Sequence, residues 1–357
     1  MKKILQKFSI LICFLVISCS SGDDEASSVQ NNNYINLYAS ITEGFVGVSV
    51  VLTAFDSEGN NVTSSAEFYI DDTKINSNTH TFNSTGSYIV YATYQQLTSE
   101  TKTIRILPTP IEFKKNVWVE DITGTWCRWC PRVSWAIDLL KAQDVADVIF
   151  VAVHNRDPMA ISSEGSLRQF FNITSYPYAW INRQSRWGNN VNNLSQVTNE
   201  IGKKAYTSLA MESNIEGQVL SVKVKLNMGY SYESIRLGLY LLEDGLIHDQ
   251  INSTDYYPEI TRQGLWSDGS QDIIAFDFIH NDVLRHTLSS IFGDVISGDD
   301  VGHNKIYKRE YQYTIPAYMD IENLKLVAFA AADTDERFII NSRGSYIGET
   351  QDFQPAD

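Results

Sequence analysis

Basic residues are scarce. The chain carries 28 Lys and Arg against 43 Asp and Glu, a formal net charge of −15. It has no basic block, which argues against nucleic acid or anionic headgroups as charge-driven partners. Cysteine is scarcer, four in 357 residues. A structural zinc site needs four ligands, and His280, His286 and His303 lack metal-ligand spacing, so no metal and no cofactor is expected. Asp299 and Asp300 read as a solvated acidic turn, with a calcium site as the alternative. No apolar run reaches the roughly 20 residues that span a bilayer as a helix. No nucleotide, glycosidase or protease motif stands out, and no internal repeat.

What is present begins at the N-terminus. Lys2, Lys3 and Lys7 precede an apolar stretch over residues 8–17, then Ser18-Cys19 and an abrupt rise in polarity. That order is a secretory signal. The site resembles a lipobox, which implies a signal peptide over residues 1–18 and a lipid on Cys19 that holds the chain to a membrane. The alternative is a plain signal peptide with an incidental cysteine. Residues 19–33 read as an acidic polar tether. Ser20 after Cys19 resembles outer-membrane sorting. Asp23-Asp24-Glu25 resembles a surface-export tether, the alternative being a periplasmic face. Cys13 leaves with the signal and Cys19 carries lipid. Only Cys127 and Cys130 remain, a close pair that an oxidising compartment leaves free to cycle between dithiol and disulfide.

The chain is long enough for two or three domains. Residues 34–107 hold short β-rich runs separated by turn clusters at 56–61 and 83–86, which predicts a small all-β sandwich. Residues 82–94 resemble the closing hairpin of bacterial immunoglobulin-like domains. Pro108 and Pro110 mark a stiff boundary. Residues 111–206 alternate strand and helix, with strands near 117–122, 147–153 and 178–182 and helices near 131–142, 163–171 and 194–205, so an α/β layer is expected. Residues 207–350 return to β, with runs such as 219–226, 235–242 and 324–332, and read as a C-terminal β-sandwich. A polar insertion over residues 243–300 is expected to hold one helix near 281–292. The fold class is therefore multidomain: β-sandwich, α/β layer, β-sandwich.

The chemistry gathers in Asp121-Ile122-Thr123-Gly124-Thr125-Trp126-Cys127-Arg128-Trp129-Cys130-Pro131. A strand runs in, a turn carries the first cysteine and a helix comes after it. The spacing lets the sulfurs close a Cys127–Cys130 disulfide ring. A helix N-terminus favours a thiolate, and Arg128 adds a positive charge. Cys127 is therefore expected to be the exposed, low-pKa thiol and Cys130 the shielded one. The stretch resembles the thioredoxin superfamily, with Trp126 directly before the first cysteine. That resemblance implies a buried acid at Asp121, with Glu120 competing because strand register is not visible. It also implies a cis Tyr176-Pro177 bond facing the disulfide, with the Tyr176 backbone offered to substrate; an ordinary trans turn is the alternative. His154 ends a buried strand, where sites in open α/β sheets collect. It is either a tuner of the disulfide or a loop histidine.

The thioredoxin-like stretch joined to the C-terminal β region resembles a family of bacterial outer-membrane lipoproteins named for a protein of about 28 kilodaltons. The marks are residues 124–127 with Cys130-Pro131, residues 154–159, residues 280–285 and residues 339–341. The resemblance implies location and architecture more than mechanism, and makes the first domain a spacer. Two functional readings result. One is a lipid-anchored thiol–disulfide oxidoreductase whose partners are protein thiols or disulfides, through attack by Cys127, resolution by Cys130 and proton transfer by Asp121. The other is a non-enzymatic surface binding or adhesion protein with a structural disulfide and an unidentified ligand for the C-terminal sandwich.

Overall fold

The computed structural model describes residues 33–145 and 147–356. Cys19, the tether and the signal segment lie outside the described residues. The chain divides into two compact units after Leu107, and strands far outnumber helices in both.

In the first unit a three-stranded sheet (Ile35–Ala39, Ser49–Asp56, Thr79–Thr81) and a six-stranded sheet built around Lys102–Leu107 and Gly86–Tyr94 share one core. The alternation expected of half-buried strands is plain in Ser49–Asp56, where Val50, Leu52 and Ala54 turn inward. Asp56 accepts the backbone N–H groups of Glu58 and Asn60 at 3.0 and 2.9 Å and closes the predicted turn.

The second unit is organised by β1 (Val117–Thr123), α1 (Pro131–Ala142), β2 (Val148–His154), α2 (Glu164–Phe170), β3 (Tyr178–Ile181), β4 (Ser234–Glu243), β5 (Gln250–Ile251), β6 (Val283–Thr287), β7 (Leu324–Ala332) and β8 (Ile339–Tyr346). A nine-stranded sheet runs Ser185–Arg186, β3, β1, β2, β6, β4, β7, β8, with Asp294–Ser297 also paired to β4. β1 and β2 are parallel, and β3 is antiparallel to β1. A second, four-stranded sheet centred on Thr207–Glu216 and Val219–Met228 covers Leu237, Leu239, Leu241 and Leu326 of the long sheet. The opposite side of β4 and β7 buries Tyr240, Leu242 and Phe329 with Trp118 and Leu167.

Three expectations are corrected. Residues 281–292 are not helical. Ile279–His280 and β6 are strands, broken at Asn281-Asp282, where Asp282 takes a positive φ of 58° and its N–H donates to Asp244 at 2.7 Å. Of the helix expected over residues 194–205, only Ser195–Thr198 forms, and Lys204–Ala205 pairs instead with Phe113–Lys114. Residues 111–206 and 207–350 also share one compact unit, because the long sheet takes strands from both.

Candidate functional site around the Cys127–Cys130 disulfide

β1 is buried on both faces. Its two-residue period sends Val117, Val119 and Asp121 toward α1, and Trp118, Glu120 and Ile122 the other way. This register settles the two competing acids. Glu120 forms a fork with Arg183, Nε to Oε2 at 2.8 Å and Nη2 to Oε1 at 2.6 Å, with both side chains fully buried. The Tyr240 hydroxyl accepts from Arg183 at 3.1 Å and donates to the Ile291 carbonyl. Burial works against the guanidinium charge, but Glu120 outweighs it and raises the Arg183 pKa.

Asp121 has no such partner. Its Oδ1 is buried without a hydrogen bond. Burial pushes the carboxyl up to about 8, and the Arg132 charge only partly opposes it. Two adjacent acids thus differ in state: one is ion-paired, the other holds a proton at neutral pH on the side of the sheet that carries the cysteine helix.

Cys127 and Cys130 are disulfide-bonded, with Cα atoms 5.4 Å apart. The Cys127 N–H donates to the Gly124 carbonyl at 2.9 Å and the Cys130 N–H to the Cys127 carbonyl at 3.1 Å. α1 starts at Pro131 with Cys130 as its cap residue, so Cys127 precedes the helix rather than opening it. Gly124 is needed for close approach, since a Cβ there would stand 2.7 Å from Trp126 Nε1 and 2.9 Å from the Asn155 carbonyl oxygen. The Trp126 N–H donates to that carbonyl at 2.7 Å, and its ring meets Tyr176 edge-on at 5.0 Å. The Tyr176-Pro177 bond is cis. Tyr178 pairs with Ile122, which sets Pro177 beside the end of β1.

His154 lies across from Thr123 at the ends of β2 and β1. Its Nδ1 is 2.7 Å from Asp157 Oδ2, which also accepts the Thr125 N–H at 2.9 Å, while Oδ1 accepts the Met159 N–H at 2.9 Å. His154 therefore reaches the disulfide loop through Asp157. Burial works to raise the Asp157 pKa, yet the bonds from His154, Thr125 and Met159 win and lower it. The His280 ring sits 5.2 Å from that of His154. Burial and that neighbour push His280 down to about 3, so it is neutral at physiological pH.

Sequence reasoning missed the roof. The insertion lays β5 and the residues after it along the disulfide loop. Gln250 Nε2 donates to the carbonyls of Cys127 at 3.0 Å, Gly124 at 3.3 Å and Ile251 at 2.9 Å. The Ile251 N–H donates to Thr125 and the Ser253 N–H to Arg128, both at 2.8 Å. Arg128 pairs with Asp272 at 3.2 Å. The result corrects the expected exposure: Cys127 is only 4% exposed and Cys130 1%, whereas Trp129 between them is 50% exposed. Below the roof, a narrow cleft between α1 and the insertion is lined by Asp121, Ser134, Asp138, His154, Tyr257 and His280, among others. The Tyr257 hydroxyl donates to Asp138 at 2.8 Å, and Trp135 stacks on Tyr256.

The remaining sequence marks have structural work. Asp282 takes Lys141 at 2.6 Å and also Lys325. Asn341, buried, accepts the Asn116 N–H at 2.9 Å and donates to the carbonyls of Lys114 at 2.9 Å and Thr207 at 2.7 Å. It fastens β8 to the start of β1 and to the second sheet. His286 stacks on Tyr313 at 4.1 Å, and His303 bonds the Thr109 carbonyl at 3.0 Å.

Among solved structures, HBP35 of Porphyromonas gingivalis is similar at 18% identity and a TM-score of 0.48, over 67% of this chain and 77% of that one. An Agrobacterium tumefaciens protein is similar at 13% identity and 0.36, over 65% and 94%. The Yersinia pseudotuberculosis adhesin InvE is similar at 11% identity and 0.20, over 89% and 58%. No curated protein matches the chain. Residues 164–351 match the family of outer membrane protein Omp28. That match spans more than half of the sequence, and the chain belongs to the Omp28 outer membrane protein family.

Proposed function

We propose that this outer membrane protein is a lipid-anchored carrier of a thioredoxin-like thiol–disulfide exchange centre, with protein thiols or disulfides as partners. The observation that carries the reading is the placement of the Cys127–Cys130 disulfide at the end of a buried parallel strand, ahead of α1, with the unpartnered Asp121 carboxyl on the same face. In the reducing direction, a thiolate of Cys127 attacks a partner disulfide and a mixed disulfide forms. Cys130 then displaces the partner thiolate, and the protein disulfide re-forms. Asp121, protonated while the disulfide is closed, has first to release its proton to solvent and then takes up the Cys130 proton as that sulfur becomes the nucleophile. Trp126 and Tyr176 frame the approach. The immunoglobulin-like first unit is a spacer, and a lipid on Cys19 is the anchor.

A second reading has a specific observation behind it. Both sulfurs are buried and the loop is clasped by Gln250, Ile251 and Ser253, as a permanent structural disulfide in a non-enzymatic binding protein would be. Native-state reduction separates the two. The exchange reading expects millimolar dithiothreitol to open the pair in the folded protein and Cys130→Ser to trap mixed disulfides through Cys127. A disulfide that yields only on unfolding, with no trapped partner, sinks the reading. For the anchor, Cys19→Ala is expected to release the protein from membranes; a processed variant that stays membrane-bound refutes the lipid.

A further inference from the structure

We propose that the cleft between α1 and the insertion is the proton entrance of the disulfide centre, with Tyr257 and Asp138 as the pair that passes protons between solvent and Asp121. The proposal rests on the exchange reading above and deepens it. Three observations converge. Asp121 is fully enclosed by the sheet and α1, and its Oδ1 has no hydrogen-bond partner. The same cleft that Asp121 lines is also lined by Asp138 and Tyr257, and Asp138 is exposed as a residue on α1 while its carboxyl is partly covered by the Tyr257 hydroxyl. The cleft has about 40 Å³ for water, more than the ~10–15 Å³ that one molecule occupies.

The groups facing Asp121 across the cleft and its walls are Arg132, Ser134, Asp138 and Lys141 of α1, His154 of β2, and Tyr257, His280 and Asp282 of the insertion and its edge. Most are unsuited to relay. Lys141 and Asp282 are committed to each other. His154 is held by Asp157, and His280 is neutral and bonded to the His248 carbonyl. Asp138 remains, with a carboxyl raised by burial and by Asp282 while Tyr257 and Lys141 pull it down. The insertion supplies Tyr257, so the entrance exists only while the insertion is docked.

The chemistry balances with a dithiol probe. A probe thiolate attacks Cys127, the S–S bond breaks, and Cys130 leaves as a thiolate that takes the Asp121 proton. The second probe thiol loses its proton to solvent and attacks the mixed disulfide. It releases Cys127 and leaves the probe as its cyclic disulfide. Before the next turnover, Asp121 recovers a proton through the cleft.

The test is repeated turnover of the folded protein between pH 5 and 9, as dithiothreitol-driven reduction of insulin monitored by turbidity, with reduction of the protein's own disulfide followed by alkylation counts. Beyond the rise caused by ionisation of the dithiothreitol thiol itself, wild type should show a pH-dependent rate limb that Asp121→Asn removes. Tyr257→Phe changes no charge at these pH values. It and Asp138→Asn are each expected to slow that limb several-fold, with a larger solvent deuterium isotope effect and unchanged circular dichroism. If Asp121→Asn slows reduction while Tyr257→Phe and Asp138→Asn match wild type, the entrance is refuted and the exchange reading stands. If wild type itself resists reduction while folded, the exchange reading fails and takes the entrance with it. Should Asp138→Asn not fold, the near-isosteric Tyr257→Phe decides alone.

Discussion

Glu120 and Asp121 are neighbours with opposite thermodynamic roles. Unfolded, Asp121 ionises near 3.8; folded, it keeps its proton to about 8. A raised folded pKa gives its stability in full below the unfolded value and loses it as pH climbs through the folded one. Asp121→Asn should therefore match wild type near pH 4 and become more stable by a growing margin up to about pH 8, reaching a few kcal/mol at roughly 1.4 kcal/mol per pH unit. Urea unfolding at several pH values measures the gap; a gap that does not change with pH would mean that Asp121 is ionised in the fold. Glu120→Gln should do the reverse and cost ~3–5 kcal/mol, because it strands the Arg183 guanidinium in an aromatic shell of Trp118, Phe171 and Phe329. The cysteine pair and Asp121 were legible because they sit in one short run of sequence. Which acid faces the cysteines was not, since a one-residue change of register exchanges them and only the distant Arg183 fixes it.

At the scale of elements, local pattern identified β1, α1, β2 and α2, whose apolar spacing is strong. It failed at residues 281–292, where Val283 and Leu284 are consecutive and buried, a run that suits helix or strand equally. It was silent on β5. Gln250 is one polar residue in a polar insertion, and nothing near it in sequence announces that it bonds the Cys127 carbonyl. That contact is nonetheless one of the restraints on the loop, beside the Ile251 and Ser253 N–H bonds. Gln250→Ala removes the contacts donated to three carbonyls, of which those of Gly124 and Cys127 keep the N–H groups of Cys127 and Cys130. Reduction of the disulfide should become faster than in wild type, and the amides of Ile251 and Ser253 should lose hydrogen-exchange protection. An unchanged rate would mean that the roof does not limit access.

For the whole molecule, the boundary at Pro108 and Pro110 was readable from composition, and the chain does divide after Leu107. The continuity of residues 111–206 with residues 207–350 was not readable. β4 and β7 look like sandwich strands in sequence, and membership of a sheet is set by partners far along the chain. Residues 108–357 expressed alone are expected to fold with one cooperative transition. Residues 108–206 should not, because β2 would lose β6 and its edge would lie open. A well-dispersed amide spectrum from the shorter piece would contradict this. The distance between Cys127 and its cover has a further consequence. The two positions lie 123 residues apart, and an outer membrane protein is threaded across the inner membrane from its N-terminus. A chain exported in that way would bring its cysteines into an oxidising space while Gln250 is still on the other side. During that interval the pair would stand open to whatever oxidant is present; once residues 250–253 dock, the roof narrows access to it. The order of arrival would thus set the state in which the pair starts, and the insertion how readily that state changes afterwards.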